Sequence, residues 1–422
     1  MGYFSSLLKS EYSKNVLTLM TGTTIAQAIP IAVTPILTRI YSPNDFGVFA
    51  LFLAITAIAG AVSNAQYEQA IVLPVKDEDS FNLVALGITI TLSFSLFLLI
   101  IVLLFKDQIS VLFGNSQIAP FLFLVPLSTL LVGIYNSLNL FNIRKKQFKN
   151  IAISQVTRSS SLGVSQVLIG LISFGPVGLV VGQLISYFSG NVILFKTLKS
   201  DYKKNYISVE KIKQQAIIYK KFPIYSLPSI LLNSINLNVV NFLISSIFSI
   251  TTLGFYSLTQ RIIGIPARVI GNSFSQVYLQ KASESLKKTG STKEVFKKTF
   301  LKLTYLSIPI FTILFFIVEP LFAFVFGEEW RISGTYAKIL IPLAAVRFVS
   351  STLSNTLVIH QKQQYGLLIN LFLLTTTMGI YLYSKSIEIF FIDTLKYFSI
   401  IMILEYSLFT LLYWKVSNKK PI

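Results

Sequence analysis

The strongest constraint on this chain is a long apolar run in its first third. Residues 81–105, FNLVALGITITLSFSLFLLIIVLLF, contain no Asp, Glu, Lys or Arg. A run of about 20 such residues is long enough to cross the hydrocarbon core of a bilayer as an α-helix. The run therefore predicts a transmembrane helix.

The composition of the whole chain also indicates a membrane protein. Of 422 residues, 53% are hydrophobic and 13% are charged, whereas about 25% of residues are charged in a soluble domain. A soluble bundle of long helices would need a polar stripe on each helix and far more surface charge. No cysteine is present, which excludes disulfides and thiol nucleophiles. No cleavable signal peptide is visible, so the first apolar segment is expected to remain as a span.

Apolar runs of helical length predict an all-α polytopic membrane protein with about twelve spans. The predicted spans lie near residues 15–38, 46–72, 81–105, 118–141, 151–172, 177–195, 222–247, 253–279, 303–318, 334–358, 365–384 and 392–414.

The basic residues predict the orientation of these spans. Most of the 36 Lys and Arg residues fall in connections on one side, and connections rich in Lys and Arg face the cytoplasm. Both termini are therefore expected to be cytoplasmic. The same bias explains most of the net charge of +19, because juxtamembrane lysines face anionic lipid headgroups. We expect no nucleic-acid partner.

An internal repeat predicts two halves. The stretch LTRIYSPNDFGVFAL at 37–51 aligns without gaps with ISSIFSITTLGFYSL at 244–258, and a second pair aligns residues 125–150 with residues 341–366. Because the copies have the same orientation, the halves are predicted to be parallel six-helix repeats around a central cavity. The predicted divisions are a cytoplasmic N-terminus (1–14), an N-terminal lobe (15–197), a basic cytoplasmic linker (198–221), a C-terminal lobe (222–414) and a cytoplasmic tail (415–422).

Buried charges predict the chemistry of this cavity. A charged side chain at mid-bilayer costs about 2.5 to 3.5 kcal/mol on insertion scales, so it usually faces the bundle interior. The arginines outnumber the glutamates, which leaves the interior positive and suited to an anionic solute, because guanidinium groups bind phosphate and carboxylate in a bidentate way. The alternative for each arginine is a bond to backbone carbonyls or an interfacial position. The predicted cationic residues are Arg158, Arg261, Arg268 and Arg347.

Other polar residues in or near the spans are secondary candidates. Intramembrane amides serve as interhelical glue or as sugar contacts, and the candidates for sugar contacts are Gln155, Asn233, Asn236 and Gln276. Pro30 and Pro35 should soften the first span, as in helices that line transport paths. No catalytic or metal-ligating residue is expected.

The first hairpin differs from its copy in charge. Arg39 and Asp45 correspond to Ser246 and Thr252 in the second half. Arg39 and Asp45 are therefore candidates for an outer gate, and a simple interfacial anchor is an equal alternative for Arg39.

Several motifs resemble a known family. A first span ending in LTRIYSPNDFGVFAL, a second running into NAQYEQAIVLP at 64–74, an acidic KDEDS turn and a fourth span closing on RKKQF resemble bacterial polysaccharide flippases of the Wzx type. These belong to the polysaccharide transporter family of the multidrug, oligosaccharidyl-lipid and polysaccharide (MOP) exporter superfamily. The best motifs lie in the first 150 residues.

The resemblance implies a function and its partners. It implies a V-shaped, non-enzymatic transporter that flips undecaprenyl-diphosphate-linked oligosaccharides across the bacterial inner membrane for O-antigen or capsule synthesis. A polysaccharide polymerase and a chain-length regulator are implied partners besides membrane lipids. No P-loop motif is visible, so an H⁺ or Na⁺ gradient is the expected energy source, with Glu68 as the first and Glu405 as the second coupling candidate.

Two other functions are open at this point. A multidrug exporter of the same superfamily would carry organic cations, and its buried carboxylates should outnumber its arginines, which is the reverse of this composition. A membrane enzyme that polymerises or ligates glycans would need a large outer loop, and the longest predicted outer loops, 106–117 and 319–333, are short.

Overall fold

A computed structural model describes residues 11–202 and 206–418, and these residues form helices joined by turns. The predicted cytoplasmic N-terminus, linker and tail each include positions outside this described part. Contacts divide the chain into two compact units, Met1–Ile250 and Thr251–Ile422. The predicted lobe boundaries stay a prediction, because a packing unit and a sequence repeat are different divisions of a chain.

The first unit contains eight main helices among its described residues. They are α1 (Glu11–Ile40), α2 (Pro43–Val62), α3 (Asp77–Leu112), α4 (Leu124–Arg144), α5 (Phe148–Ile172), α6 (Val177–Asp201), α7 (Val209–Ile218) and α8 (Leu227–Ile247).

The described residues of the second unit form six further main helices, the first of which begins at Ile250, the last residue of the first unit. They are α9 (Ile250–Ile263), α10 (Asn272–Thr289), α11 (Lys293–Phe326), α12 (Arg331–Leu353), α13 (Gln363–Ser386) and α14 (Phe391–Ser417).

Ten helices of the described chain are long and apolar enough to cross a membrane. The other two predicted spans correspond to α5 and to the α9–α10 stretch, which do not meet the requirements of length and apolarity together. The helix α9 has only 14 residues, and α5 carries Arg158 among several Ser and Gln residues. The all-α, multi-span fold class is confirmed.

The hairpin at 37–51 is built by local capping. The Asp45 carboxylate accepts hydrogen bonds from the Ser42 backbone N–H (2.9 Å) and hydroxyl (2.8 Å), while the Asp45 N–H donates to Ser42 Oγ (3.2 Å). This capping box, with Pro43 in the first turn, starts α2. Asp45 therefore has a structural role, and its part in a gate stays a prediction.

Small residues allow the helices of the first unit to pack closely. The helix α5 lies between α1 and α6, and α4 packs on α3 and α6. A Cβ on Gly22 of α1 would lie 2.5 Å from the Ala152 Cβ of α5. The Tyr41 hydroxyl donates to the Gln166 carbonyl of α5 (2.7 Å). The helix α1 continues through both Pro30 and Pro35.

The acidic KDEDS turn anchors part of the linker. Asp77 pairs with Arg144 (3.0 Å) and Lys145 (2.7 Å). Glu78 pairs with Lys211 on α7, and Asp79 accepts a hydrogen bond from Gln215 (3.0 Å) on the same helix. The helix α7 is thereby held against the first turn of α3.

In the second unit, α12 packs against α11 and α14. Two hydroxyl contacts join α12 to α9: Thr259 donates to the Ser333 carbonyl (2.8 Å), and Ser333 donates to the Phe255 carbonyl (2.9 Å). Such reciprocal bonds satisfy polar groups inside a bilayer, where water is absent.

Candidate functional site

A polar cavity lies among α1, α4, α5 and α6 of the first unit. Its volume is about 380 Å³, within the roughly 300 to 1,000 Å³ typical of small-molecule sites. Among the residues that line it, only Arg158 is charged. The lining residues are Thr23, Ala26, Gln27, Tyr135, Asn139, Gln155, Arg158, Ser159, Leu162, Gln183 and Ser186.

The guanidinium of Arg158 makes cation–π contacts with two tyrosines. Its Cζ lies 4.2 Å from the ring centroid of Tyr135 and 4.1 Å from that of Tyr187. Cation–π contacts of this kind contribute about 0.5 to 2 kcal/mol each. The two ring centroids are 6.1 Å apart and the ring planes are at 71° to each other, so the tyrosines lie on adjacent sides of the guanidinium and not on its two opposite faces.

No carboxylate of the described residues forms an ion pair with Arg158, and its buried Nε has no hydrogen-bond partner. A buried donor without a partner costs about 1 to 3 kcal/mol or more when charged. An anionic ligand would recover that cost, so the geometry suits a phosphate or a carboxylate.

The sequence makes room for Arg158 with a glycine. A Cβ on Gly190 of α6 would lie 2.5 Å from both Cγ and Cδ of Arg158. The Ser154 hydroxyl donates to the Gly190 carbonyl (3.0 Å), and the Ser186 hydroxyl donates to the Arg158 carbonyl (2.9 Å). These contacts hold α5 against α6. The aliphatic part of the Arg158 side chain passes Gly190, where any larger residue would leave no room for it.

Amides provide the rest of the polar lining. The Thr23 hydroxyl donates to Gln155 Oε1 (2.7 Å), and Asn139 has a buried Oδ1 without a hydrogen-bond partner. Gln155 and Arg158 are three residues apart on α5, so both point to the same side of that helix. The structure thus brings together two of the residues predicted from the sequence.

Sequence reasoning missed Tyr135, Asn139, Gln183 and Tyr187 as site residues. A usable signal was present: Tyr135 and Asn139 are four apart on α4, and Gln183 and Tyr187 are four apart on α6. This spacing places each pair on one helix face. Most other amides act as glue, as Asn64 does by donating to the Gly133 carbonyl (3.0 Å).

A second cavity, in the second unit, contains Arg347. Its volume is about 460 Å³, and its lining includes Gln260 and Ser351. The Arg347 Cζ lies 5.8 Å from the ring centroid of Tyr406. The arrangement again combines one arginine with an aromatic ring and an amide.

The other predicted site residues whose side chains the structure describes do not line these two cavities. Arg261 is half-buried on α9, and the side chain of Arg268 lies outside the described residues. Asn233 is exposed and Asn236 half-buried on α8, while Gln276 is exposed on α10. Arg39 is exposed in the last turn of α1. Their predicted roles stay predictions.

The two candidate coupling carboxylates are buried. Glu405 of α14 is 5% exposed and accepts a hydrogen bond from Thr376. Glu68 is 4% exposed and lies in a 3₁₀ turn, Tyr67–Val72, after α2 has ended at Val62. The span predicted over 46–72 is thus shorter, and Glu68 lies beyond it. In both residues one carboxylate oxygen, Oε2, has no hydrogen-bond partner.

Burial raises the pKa of Glu68 from 4.5 to about 7, although its own backbone N–H opposes part of that rise. Between pH 4.5 and about pH 7, Glu68 is protonated in the folded protein and ionised in the unfolded chain. The free energy of unfolding therefore falls as the pH rises through this range. We expect Glu68→Gln to remove that fall. The difference in melting temperature between variant and wild type should grow from pH 4.5 to pH 7 and then level off.

The control for this measurement is Glu329→Gln, which alters an exposed carboxylate. The difference in melting temperature between Glu329→Gln and wild type should stay constant across the same pH range. A Glu68→Gln curve parallel to that of the wild type would contradict the assignment.

Comparison with known proteins identifies the family. The family described as polysaccharide biosynthesis protein matches residues 36–334. The succinoglycan biosynthesis transport protein ExoT of Rhizobium meliloti (strain 1021) is 22% identical over 307 residues, which cover 70% of this chain and 58% of that protein. The matched region therefore spans less than two thirds of this relative.

Solved structures share the fold. The lipid II flippase MurJ in an inward closed conformation has a TM-score of 0.68 at 16% identity, covering 96% of this chain and 89% of that chain. An inward-facing multidrug resistance MATE family transporter of the MOP superfamily has a TM-score of 0.65 at 14% identity, covering 94% and 96%. At such identities the likeness concerns the fold alone. Since the family match covers more than half of the chain, the protein belongs to the polysaccharide biosynthesis protein family and has the fold of MOP-superfamily transporters, which confirms the resemblance seen in its sequence.

Proposed function

We propose that this protein is a transporter, not an enzyme, that flips undecaprenyl-diphosphate-linked oligosaccharide repeat units across the bacterial inner membrane by alternating access, for surface polysaccharide biosynthesis. The observation that carries the proposal is Arg158, which has no ion-pair partner among the described residues and contacts two tyrosines in a cavity lined by amides and hydroxyls. The family described as polysaccharide biosynthesis protein and the relative described as a succinoglycan biosynthesis transport protein support transport in polysaccharide biosynthesis.

The chemistry of the cavity suits the two parts of such a substrate. The edge of the Arg158 guanidinium offers donors to a diphosphate, which accepts bidentate hydrogen bonds. The Gln155 amide and the unpartnered Asn139 oxygen provide donors and acceptors for sugar hydroxyls. Arg347 in the second unit would offer a second anion contact during transport.

Ion coupling is the proposed energy source, with H⁺ or Na⁺ as the driving ion. Glu68 is the first candidate, because its raised pKa of about 7 allows a proton to be taken up and released near neutral pH. Glu405 is the second. A polysaccharide polymerase and a chain-length regulator are the proposed protein partners.

A multidrug exporter remains the competing function, since MATE transporters share the fold. The charge of the two cavities argues against it. Arg158 and Arg347 are the charged residues that line them, and a positive site repels organic cations. The MATE likeness therefore supports the fold only.

The test uses the full chain reconstituted in liposomes. Fluorescently labelled polyprenyl-diphosphate oligosaccharide is placed in the vesicles, and its arrival in the outer leaflet is measured with a membrane-impermeant reductant that bleaches the label. We expect the protein to bring the labelled lipid to the outer leaflet much faster than protein-free vesicles do. Uptake of a cationic dye, with no flipping of the glycolipid, would contradict the proposal and favour the multidrug exporter.

A further inference from the structure

A groove between α11 and α14 is lined by both lysines and large apolar side chains. Its volume is about 630 Å³, and it lies in the second unit at the N-terminal end of α11 and the C-terminal end of α14. These ends belong to the side predicted to be cytoplasmic. The groove has a basic end, and the rest of its lining is mostly apolar.

The basic part contains two lysines on one helix face. Lys293 and Lys297 both line the groove and are four residues apart on α11, so their side chains are neighbours. Glu294 also lines the groove and is the one acidic member of that lining. Lys293 Nζ lies 5.7 Å from the ring centroid of Trp414 on α14. The groove thus has a net positive end next to a tryptophan.

The apolar part continues from this end along the two helices. Trp414 and Phe296 have ring centroids 5.5 Å apart, and Phe296 is 2% exposed. Phe300, Leu301 and Leu411 line the groove beyond them. Leu301 and Leu411 are exposed, at 41% and 58%. Tryptophan is enriched at the level of lipid headgroups, so this order runs from the headgroup region into the hydrocarbon.

We propose that this groove binds one anionic glycerophospholipid of the cytoplasmic leaflet. The phosphate lies between Lys293 and Lys297, and one acyl chain lies along Phe300, Leu301 and Leu411. Basic pockets between membrane helices on the cytoplasmic side are suited to anionic headgroups, with about 1 kcal/mol for each Lys near the surface. A zwitterionic lipid would fit the apolar part equally well but would gain little from the lysines. The inference does not depend on what the protein transports.

Trp414 provides a direct probe of this site. The chain has two tryptophans, and Trp330→Phe leaves Trp414 as the only one. Quenching of its fluorescence by phosphatidylglycerol with brominated acyl chains is compared with quenching by brominated phosphatidylcholine, each at a low mole fraction in phosphatidylcholine vesicles. We expect phosphatidylglycerol to quench well above its mole fraction and phosphatidylcholine to quench in proportion to it. Equal quenching by the two lipids would overturn the proposal.

Charge variants test whether the preference for the anionic lipid comes from the groove or from the basic surface as a whole. The double variant Lys293→Gln/Lys297→Gln should weaken the preference for phosphatidylglycerol, by roughly five-fold for each lysine. The control is Lys287→Gln/Lys288→Gln, which removes the same charge from the last turn of α10, outside the groove lining. An equal loss in the control would overturn the specific site and leave only surface electrostatics.

A second measurement needs no tryptophan replacement. Native mass spectrometry of the wild-type chain in detergent should show one phosphatidylglycerol retained at ratios where phosphatidylcholine is lost, and the Lys293→Gln/Lys297→Gln variant should lose it. Inorganic phosphate added in excess should not displace the lipid, because it lacks the acyl chain. Displacement by free phosphate would contradict a lipid site.

Discussion

Arg158→Ala is expected to reduce glycolipid flipping by about ten- to a hundred-fold. The guanidinium is the only charged group lining its cavity. A hydrogen bond to a charged group contributes roughly 1.5 to 3 kcal/mol, and each 1.4 kcal/mol changes an affinity about tenfold. Arg158→Lys keeps the charge but not the planar fork, so it should retain part of the activity.

The measurement is the liposome assay described above, made at equal amounts of inserted protein. The matched control is Arg331→Ala, which removes an exposed arginine paired with Glu328 three residues away (2.6 Å). Such surface pairs contribute about 0 to 1 kcal/mol, and flipping should stay near the wild-type rate. Normal flipping by Arg158→Ala would show that this cavity does not bind the substrate.

Variants at the neighbouring positions test how Arg158 is held. Gly190→Ala places a Cβ where the stem of Arg158 lies and should displace the guanidinium without removing its charge. We expect reduced flipping from this variant, and from Tyr187→Leu, which removes one of the two cation–π contacts of Arg158. A purely electrostatic role for Arg158 would instead leave both variants active.

The largest expected loss of stability comes from Gly47→Ala in the first hairpin. A Cβ on Gly47 would lie 1.9 Å from the Ile250 carbonyl oxygen and 2.8 Å from its carbon. The clash is with backbone atoms, which cannot turn away as a side chain can. Overpacking of a tight site costs about 1 to 3 kcal/mol. We expect a clearly lower melting temperature in detergent.

Gly379→Ala is the control for this prediction. Gly379 lies within α13, and a Cβ there would meet no atom within 4 Å. Alanine is better than glycine in a helix interior by about 1 kcal/mol, so this variant should be as stable as the wild type or more stable. Equal melting temperatures for Gly47→Ala and wild type would contradict the close approach at Ile250.

The helices were predictable because each one depends on a local signal. Apolar runs mark the spans, and Ser42, Pro43 and Asp45 mark the start of α2 by chemistry within four residues. The two stretches that are not counted among the ten apolar spans, α5 and α9–α10, were still predicted as spans from their apolar runs at 151–172 and 253–279. Predicted span ends were less accurate, as at Glu68, because a 3₁₀ turn with apolar neighbours looks like the end of a helix.

Only part of the candidate site was predictable. Arg158 and Arg347 were identified because a charge inside an apolar segment is costly and therefore conspicuous. Tyr135 and Tyr187 were not, because tyrosines are common in membrane helices, and their four-residue spacing from Asn139 and Gln183 is the one local signal that distinguishes them. The groove at Lys293 was likewise hidden, since its lysines look like ordinary juxtamembrane charge.

The sequence by itself determined that the chain is an all-α membrane protein, where its helices lie, and that its interior carries arginines. It did so because hydropathy, helix capping and the free-energy cost of a charge inside a bilayer each depend on residues that are close together in the sequence. Only the tertiary structure decided that Arg158 contacts both Tyr135 and Tyr187 and that Gly190 makes room for it. These four residues lie on three helices, and their meeting depends on how each helix is rotated about its axis, which packing between helices determines.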